Sequence, residues 1–239
     1  MKIPKFPQPA PGPDGPGAAL RGPLGQQTGV WSSAKDMGSR LACFPYRYLK
    51  RAVDVSLSLF ALFFVLSWLM PLLCLLVLAD TGVPVFFVQK RIGRWGRPFH
   101  CIKLRTMGRA KAGEERLPTR LGYWLRCHKL DELPQFINVL KGDMSIVGPR
   151  PHMISDHRAF SRELGRDYCL RHAVLPGITG LAQVRGYEGQ VSSRHKLRGR
   201  LRLDLFYIRQ WSMGLEFCIM YRTIRLFMQG MAKGPGHPL

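Results

Sequence analysis

Residues 53–79 read VDVSLSLFALFFVLSWLMPLLCLLVLA, an apolar run interrupted only by Asp54, Ser56, Ser58, Ser67, Pro71 and Cys74. As one straight helix rising about 1.5 Å per residue it would reach roughly 40 Å, beyond a hydrocarbon core of about 30 Å. A soluble amphipathic helix carries a polar stripe, and this one has none. The segment is therefore expected to enter a membrane. Whether it crosses is a separate matter. Arg47, Lys50 and Arg51 precede it, and Lys90, Arg91, Arg94, Arg97, Lys103 and Arg105 follow it. Lys and Arg mark the cytoplasmic side of a membrane segment, and here they flank both ends, as membrane-surface charges. Pro71 lacks an N–H, and Ser67 one turn earlier can bond a freed carbonyl, so the pair offers a break. A helix that dips in, bends and returns to the same face satisfies both observations; a single-pass anchor is the alternative.

The basic flanks belong to a basic chain: 239 residues, 36 Lys+Arg against 15 Asp+Glu, formal charge +21. The length suits one domain, at most two, at about 150 residues each. An apolar share of 46% excludes a disordered basic tail. Such a charge calls for anionic company: nucleic acid, an anionic membrane surface or phosphorylated substrates. Cys43, Cys74, Cys101, Cys127, Cys169 and Cys218 are scattered without a C-x-x-C pair. That pattern predicts reduced thiols and argues against a disulfide scaffold or a Cys-rich zinc site. Residues 1–42 are punctuated by Pro and Gly and hold no apolar run of signal-peptide length, so a disordered arm is expected.

Beyond the apolar run the pattern changes. Residues 85–88 and 99–102 read as two short strands around a Gly/Pro turn, and residues 107–118 as a charged loop. Residues 119–139 have helical period, with Leu121, Trp124, Leu125, Leu130, Leu133 and Phe136 on one face. Residues 152–170 read as an exposed helix, residues 176–180 as a loop, and residues 192–227 as a long helical stretch bent near 211–214. Within that stretch Arg194, Lys196, Arg198, Arg200 and Arg202 precede Leu203, Leu205, Phe206, Tyr207 and Trp211. Basic residues beside apolar and aromatic ones suit a helix lying on an anionic bilayer.

Several residues suit phosphate chemistry. Arg150 stands between Pro149 and Pro151, so its backbone has little freedom, and a guanidinium fork matches two phosphate oxygens. Lys103 and Arg105 alternate on the expected strand and would face one side. Arg126 lies five residues before Asp131 on the expected helix. Taken singly, an Arg in so basic a chain is a solvated surface residue. Asp131 and Glu132 form an adjacent carboxylate pair. On a helix they would point about 100° apart, which suits one reacting carboxylate and one holding a cation. Aspartate is anionic at neutral pH and can attack phosphorus without a general base. Mg²⁺ on the second carboxylate would offset diphosphate charge. Taken alone, a DE pair is more often a solvated helix surface.

The stretch KLDELPQFINVLKGDMSIVGPRP (residues 129–151) closely resembles the signature of the bacterial sugar transferase family, the monotopic phosphoglycosyl transferases. So do KRAVD (50–54), VFFVQKRIGRWGRPF (85–99), KLRTM (103–107), LPGITGLAQV (175–184) and DLFYIRQWS (204–212), all in the family's order. The resemblance implies transfer of a sugar-1-phosphate from a UDP-sugar to a polyprenyl (undecaprenyl) phosphate at the cytoplasmic face of the bacterial inner membrane. It implies a re-entrant helix-break-helix. It also implies Asp131 as the nucleophile that takes up the phosphosugar and releases UMP, with Glu132 helping to hold Mg²⁺. Arg126 and Arg150, with Lys103 and Arg105, would contact phosphates, and Gln183, Arg185 and Tyr187 would lie at the nucleotide-sugar pocket.

The chain departs from the family pattern in places. Trp68 follows Ser67 where Ser-Pro is usual, with the proline at Pro71, and the usual position of an Arg holds Glu188. Sugar identity stays open among glucose, galactose and N-acetylated sugars.

The expected fold is α/β and mostly helical: an arm (1–42), a re-entrant membrane helix (43–82), a small cytoplasmic catalytic domain with interfacial amphipathic helices (83–228) and a flexible tail (229–239). The expected partners are UDP-sugar, polyprenyl phosphate and membrane lipids, with a homodimer compatible. A nucleic-acid binder, suggested by charge alone, has no use for the apolar run. The remaining alternative is a non-catalytic membrane scaffold of the same fold, against which the intact Asp131-Glu132 pair argues.

Overall fold

The structure, a computed structural model, describes residues 44–108, 116–189 and 193–233. The Pro/Gly-rich arm, most of the charged loop and the end of the tail lie outside these residues. The described chain is mostly helical, with two small two-stranded sheets.

The apolar run is one long helical element. Helix α1 (Phe44–Phe60) passes through a π-helical stretch (Ala61–Leu66) into α2 (Ser67–Thr81). Pro71 lies inside α2 and leaves the Ser67 carbonyl without its helical donor. Just before it, Ser67 Oγ donates to Phe63 O (2.6 Å) and Trp68 Nε1 to Phe64 O (3.0 Å), so side chains satisfy carbonyls where the winding widens. Phe60, Phe63, Phe64 and Trp68 turn outward, the last three more than 60% exposed. Outward aromatics on an apolar helix leave an exposed apolar surface of the kind that meets a membrane or a partner.

Both ends of this element dock on the same domain. At the N-terminal end, Arg51 donates to Val139 O (2.6 Å) and Leu140 O (3.0 Å), and Asp54 Oδ1 accepts from Ile146 N (3.0 Å). Lys50 pairs with buried Glu216 at 2.8 Å. Lys50 and Arg51 are therefore tertiary anchors, where the sequence suggested membrane-surface charges. At the other end, Leu73 and Val77 are buried with Leu104, Leu125 and Leu130.

Strands β1 (Phe86–Ile92) and β2 (Pro98–Leu104) pair antiparallel, from Phe86↔Leu104 to Ile92↔Pro98, the hairpin expected from the alternation. The expected single helix over 119–139 is instead three pieces: α3 (Arg120–Cys127), a 3₁₀ turn (Leu130–Glu132) and α4 (Gln135–Lys141). Lys129 adopts φ 55°, a left-handed conformation that ends the helix, and Pro134 opens the next.

Strand β3 (Ser145–Val147) then pairs in parallel with β4 (Gly177–Thr179), inside what read as a loop. Between them lie α5 (Ile154–Leu164) and α6 (Arg166–Leu170), with His157 and Tyr168 buried rather than exposed. Helices α7 (Leu181–Val184), α8 (Arg194–Arg209) and α9 (Met213–Lys233) complete the fold, the last two broken at 211–212 as expected. A core of Val147, Leu181, Tyr207, Ile208, Trp211 and Ile219 joins them to β3. Helix α8 does not offer all its cations outward: Arg200 is buried and donates to Tyr187 O and Gly189 O, both at 2.9 Å.

The two glycine-rich motifs meet backbone to backbone. A Cβ on Gly177 would stand 2.1 Å from Gly148 N and 2.3 Å from Thr179 O. Neither contact can yield easily, because both are backbone atoms fixed at the β3–β4 pairing. Gly177→Ala is expected to destabilise the domain by on the order of 3 kcal/mol or more, read as a lowered melting temperature in detergent. An unchanged melt would mean that the close approach does not exist.

Candidate active site

The carboxylate pair sits on the 3₁₀ turn between α3 and α4, both residues only 7% exposed. Glu132 is clamped. Its Oε1 accepts from Lys103 Nζ (2.5 Å) on β2 and from Arg150 Nη2 (2.6 Å), and its Oε2 accepts from Arg150 Nη1 (3.2 Å). Burial alone would push the Glu132 carboxyl up, but Arg150 and Lys103 overcome it and hold it well below the ordinary carboxylate range. Burial pulls the Lys103 ammonium down, against the pull of Glu132.

Asp131 is the opposite case. Among the described residues no donor reaches its carboxylate. Burial raises its pKa, with Lys103, Arg126 and Arg150 opposing and Glu132 adding to it. One carboxylate is thus locked as a partner of cations, and its neighbour is desolvated and uncommitted. The two neighbours thus differ in environment, on a 3₁₀ turn rather than the expected α-helix, and Lys103 and Arg150, expected at phosphates, meet Glu132.

Arg150 is itself held from behind. Arg171 Nη2 donates to Arg150 O (2.8 Å), while its Nε and Nη2 grip Asp204 at 2.9 and 2.8 Å. Arg171 and Asp204 are buried, and neither stood out in the sequence as a site residue. Asp204 falls within one of the matching blocks, which was the available signal.

Behind this pair, His152, His157 and His172 are buried. Burial first, then Arg171, holds all three below the ordinary histidine range, His157 at about 4. A histidine kept neutral when folded binds fewer protons than when unfolded, so stability is full above about pH 6.5 and falls as pH drops toward 4. Melting temperature in detergent should decline over that window, and His157→Phe should flatten the decline.

The remaining expected residues divide. Arg126 Nε donates to Thr106 Oγ1 (2.7 Å) and bears electrostatically on Asp131. Arg105 lies past the end of β2 and bonds Val83 O and Met107 O. Gln183 lines a cavity of about 350 Å³ together with Glu132, Lys129 and Glu188. Its Nε2 donates to Ile178 O, and its buried Oε1 has no partner among the described residues. Arg185 and Tyr187 line a different hollow, with Asp167 and Arg198, and Tyr187 packs on Gly199. Glu188 pairs closely with Lys129 and lies 3.9 Å from Arg150, so the departure from the family pattern falls at the cavity itself.

The site can accommodate a divalent ion. Glu132 Oε2 accepts one long bond and keeps a lone pair, and Asp131 is uncommitted. Among the described residues no group of three His, Cys, Asp or Glu is placed to hold a metal ion. Mg²⁺ needs no such cage where substrate phosphates complete its shell.

A buried aspartate beside a cation-clamped glutamate stands on a domain that holds both ends of an exposed apolar helix. The chain belongs to the bacterial sugar transferase family, whose model matches residues 45–230. It is 41% identical over 190 residues to the UDP-glucose:undecaprenyl-phosphate glucose-1-phosphate transferase of Escherichia coli K12, covering 74% of this chain and 40% of that protein. It is 36% identical over 203 residues to the UDP-N-acetylgalactosamine-undecaprenyl-phosphate N-acetylgalactosaminephosphotransferase of Aeromonas hydrophila, covering 81% and 47%. It is 37% identical over 200 residues to the exopolysaccharide production protein PSS of Rhizobium leguminosarum bv. phaseoli, covering 79% of this chain and 98% of that one. The chain thus spans about two fifths of the length of the Escherichia coli relative.

Proposed function

We propose that this chain transfers a sugar-1-phosphate from a UDP-sugar to polyprenyl phosphate in two steps. In the first, an Asp131 oxygen attacks the sugar-bearing phosphorus. The new O–P bond forms as the anhydride P–O bond breaks, and UMP leaves with the electron pair. In the second, an oxygen of polyprenyl phosphate attacks the same phosphorus, and the Asp131 carboxylate leaves. No proton need move, because both nucleophiles are anions.

The observation that carries this reading is the contrast within the pair: Asp131 is buried without a donor, while Glu132 is fixed by Lys103 and Arg150. Burial costs the aspartate solvation, which an attack on phosphorus recovers as its charge is spread. Arg150 and Lys103 bring positive charge to where the diphosphate must lie. Glu132, with Asp131, would hold Mg²⁺, which when bound offsets charge on the departing phosphate.

The same proposal takes the apolar element as re-entrant, with the domain on the cytoplasmic face of the inner membrane. Two features support it: both ends dock on one domain, and the winding widens just before Pro71. Relatives named for glucose and for N-acetylgalactosamine leave the sugar open.

The test is UMP release from a panel of UDP-sugars by purified membranes before any acceptor is added. A burst of UMP stoichiometric with enzyme is the expected result. Release that waits for polyprenyl phosphate would rule out the two-step route.

A further inference from the structure

A second cavity, of about 230 Å³, opens at the N-terminal foot of the apolar helix and shares no lining residue with the one beside Glu132. Arg47, Lys50, Arg51, Asp54 and Arg94 supply its polar wall. The charges there do not balance. Lys50 is answered by Glu216 and, more distantly, by Asp54. Arg51 spends its guanidinium on two backbone carbonyls. Arg47 meets Tyr48, through a 3.5 Å bond to its Oη and the face of its ring, and pairs with no carboxylate among the described residues. Arg94 Nε is buried and has no hydrogen-bond partner among the described residues. Four cations therefore face two carboxylates.

Arg94 is also held in place. The turn after β1 puts Trp95 at φ 58°, and the Arg94 guanidinium lies over its ring, 4.9 Å from the centroid. Burial, then the nearness of Arg47, pulls the Arg94 pKa down, because the two guanidinium groups repel each other. A buried donor without an acceptor and an uncompensated cation pair are both costly, and one phosphate would satisfy both.

We propose that this cavity binds a phosphate group between Arg47 and Arg94, and that the group is the head group of an anionic phospholipid. The site stands where the helix leaves its charged turns for its apolar body. Leu57, exposed one turn beyond Asp54 on the same helix, offers an acyl chain a surface. The acceptor lipid of the reaction is a poor occupant, because its phosphate must reach Asp131 and neither Asp131 nor Glu132 lines this cavity.

The full chain in an uncharged detergent would be melted against dioctanoyl phosphatidylglycerol, dioctanoyl phosphatidylcholine and inorganic phosphate. Phosphatidylglycerol is expected to raise the melting temperature saturably by several degrees, well beyond the other two. R47Q/R94Q should lose that shift while releasing UMP at the unaltered rate, and R94K should keep part of it. Should the double variant fail to fold, R47Q alone, at an exposed position, should still weaken the shift. An undiminished shift in R47Q/R94Q, or equal shifts with phosphatidylcholine, overturns the site. A full shift with inorganic phosphate overturns the lipid as its source.

Discussion

Asp131→Asn is expected to abolish UMP release, by roughly 10³-fold or more, and to leave no label on the protein after incubation with a UDP-sugar labelled in the phosphate next to the sugar. The change keeps the shape of the side chain and removes the anion. Because burial raises the Asp131 pKa, its charge is held at a cost to the fold. The variant should therefore melt no lower than the parent, which separates lost chemistry from lost structure. The same shift predicts that the acid limb of activity lies above the ordinary aspartate value of about 3.8. Activity falls as pH drops through that limb, because the protonated carboxyl cannot attack. Normal turnover by Asp131→Asn would remove Asp131 from the nucleophile's role.

Glu132→Gln should behave differently, losing both activity and stability. The amide keeps one acceptor oxygen but sets its NH₂ against a donor and cannot neutralise Lys103 and Arg150, which converge on the carboxylate at 2.5 and 2.6 Å. Breaking a buried pair by removing one partner costs about 3 kcal/mol, roughly 6–12 °C of melting temperature for a chain of this size. Activity should fall by about 10²-fold, the effect of disordering the groups that support a site. The sign of the pH dependence follows from Glu132 lying well below its ordinary value of 4.5. Its contribution is complete above that value and is lost as pH falls through the lower folded value. Parent and variant melts should therefore converge in acid and differ most near neutrality. Equal melts at pH 7 would mean that the clamp contributes nothing to the fold.

The two variants together test the division between the carboxylates: one should affect chemistry alone, the other both. That the two acids would differ followed from the sequence, because neighbours on a helical turn point about 100° apart, and which acid takes which role came from the family resemblance. The support behind it was not legible. Arg171 holds the carbonyl of Arg150 from a helical turn twenty-one residues later, and is itself held by Asp204 thirty-three residues beyond. Nothing local in the sequence marks such a chain of contacts, because each link joins residues that only tertiary packing brings together. The same holds for Lys50, Arg51 and Asp54. Lys50 and Arg51 read as a membrane flank and Asp54 as an interruption of the apolar run, and they instead fasten the helix to Glu216, Val139, Leu140 and Ile146.

Hydrophobic patterning by itself determined the apolar helix, the β1–β2 hairpin and the break before Met213, because each depends on local period and punctuation over many residues. It missed β3 and β4, three residues each, because a strand that short carries no period and exists only through its parallel partner. It ran one helix through residues 119–139, because the apolar face continues in register and the left-handed turn at Lys129 has no glycine to announce it. Residue chemistry made Asp131, Glu132, Lys103 and Arg150 candidates for a phosphoryl site, and the family resemblance, rather than the chemistry of any one of them, singled them out. Tertiary structure alone decided that Glu132 is the clamped carboxylate and Asp131 the free one, because burial and the approach of β2 and Arg150 set that difference, and neither is a property of the local chain.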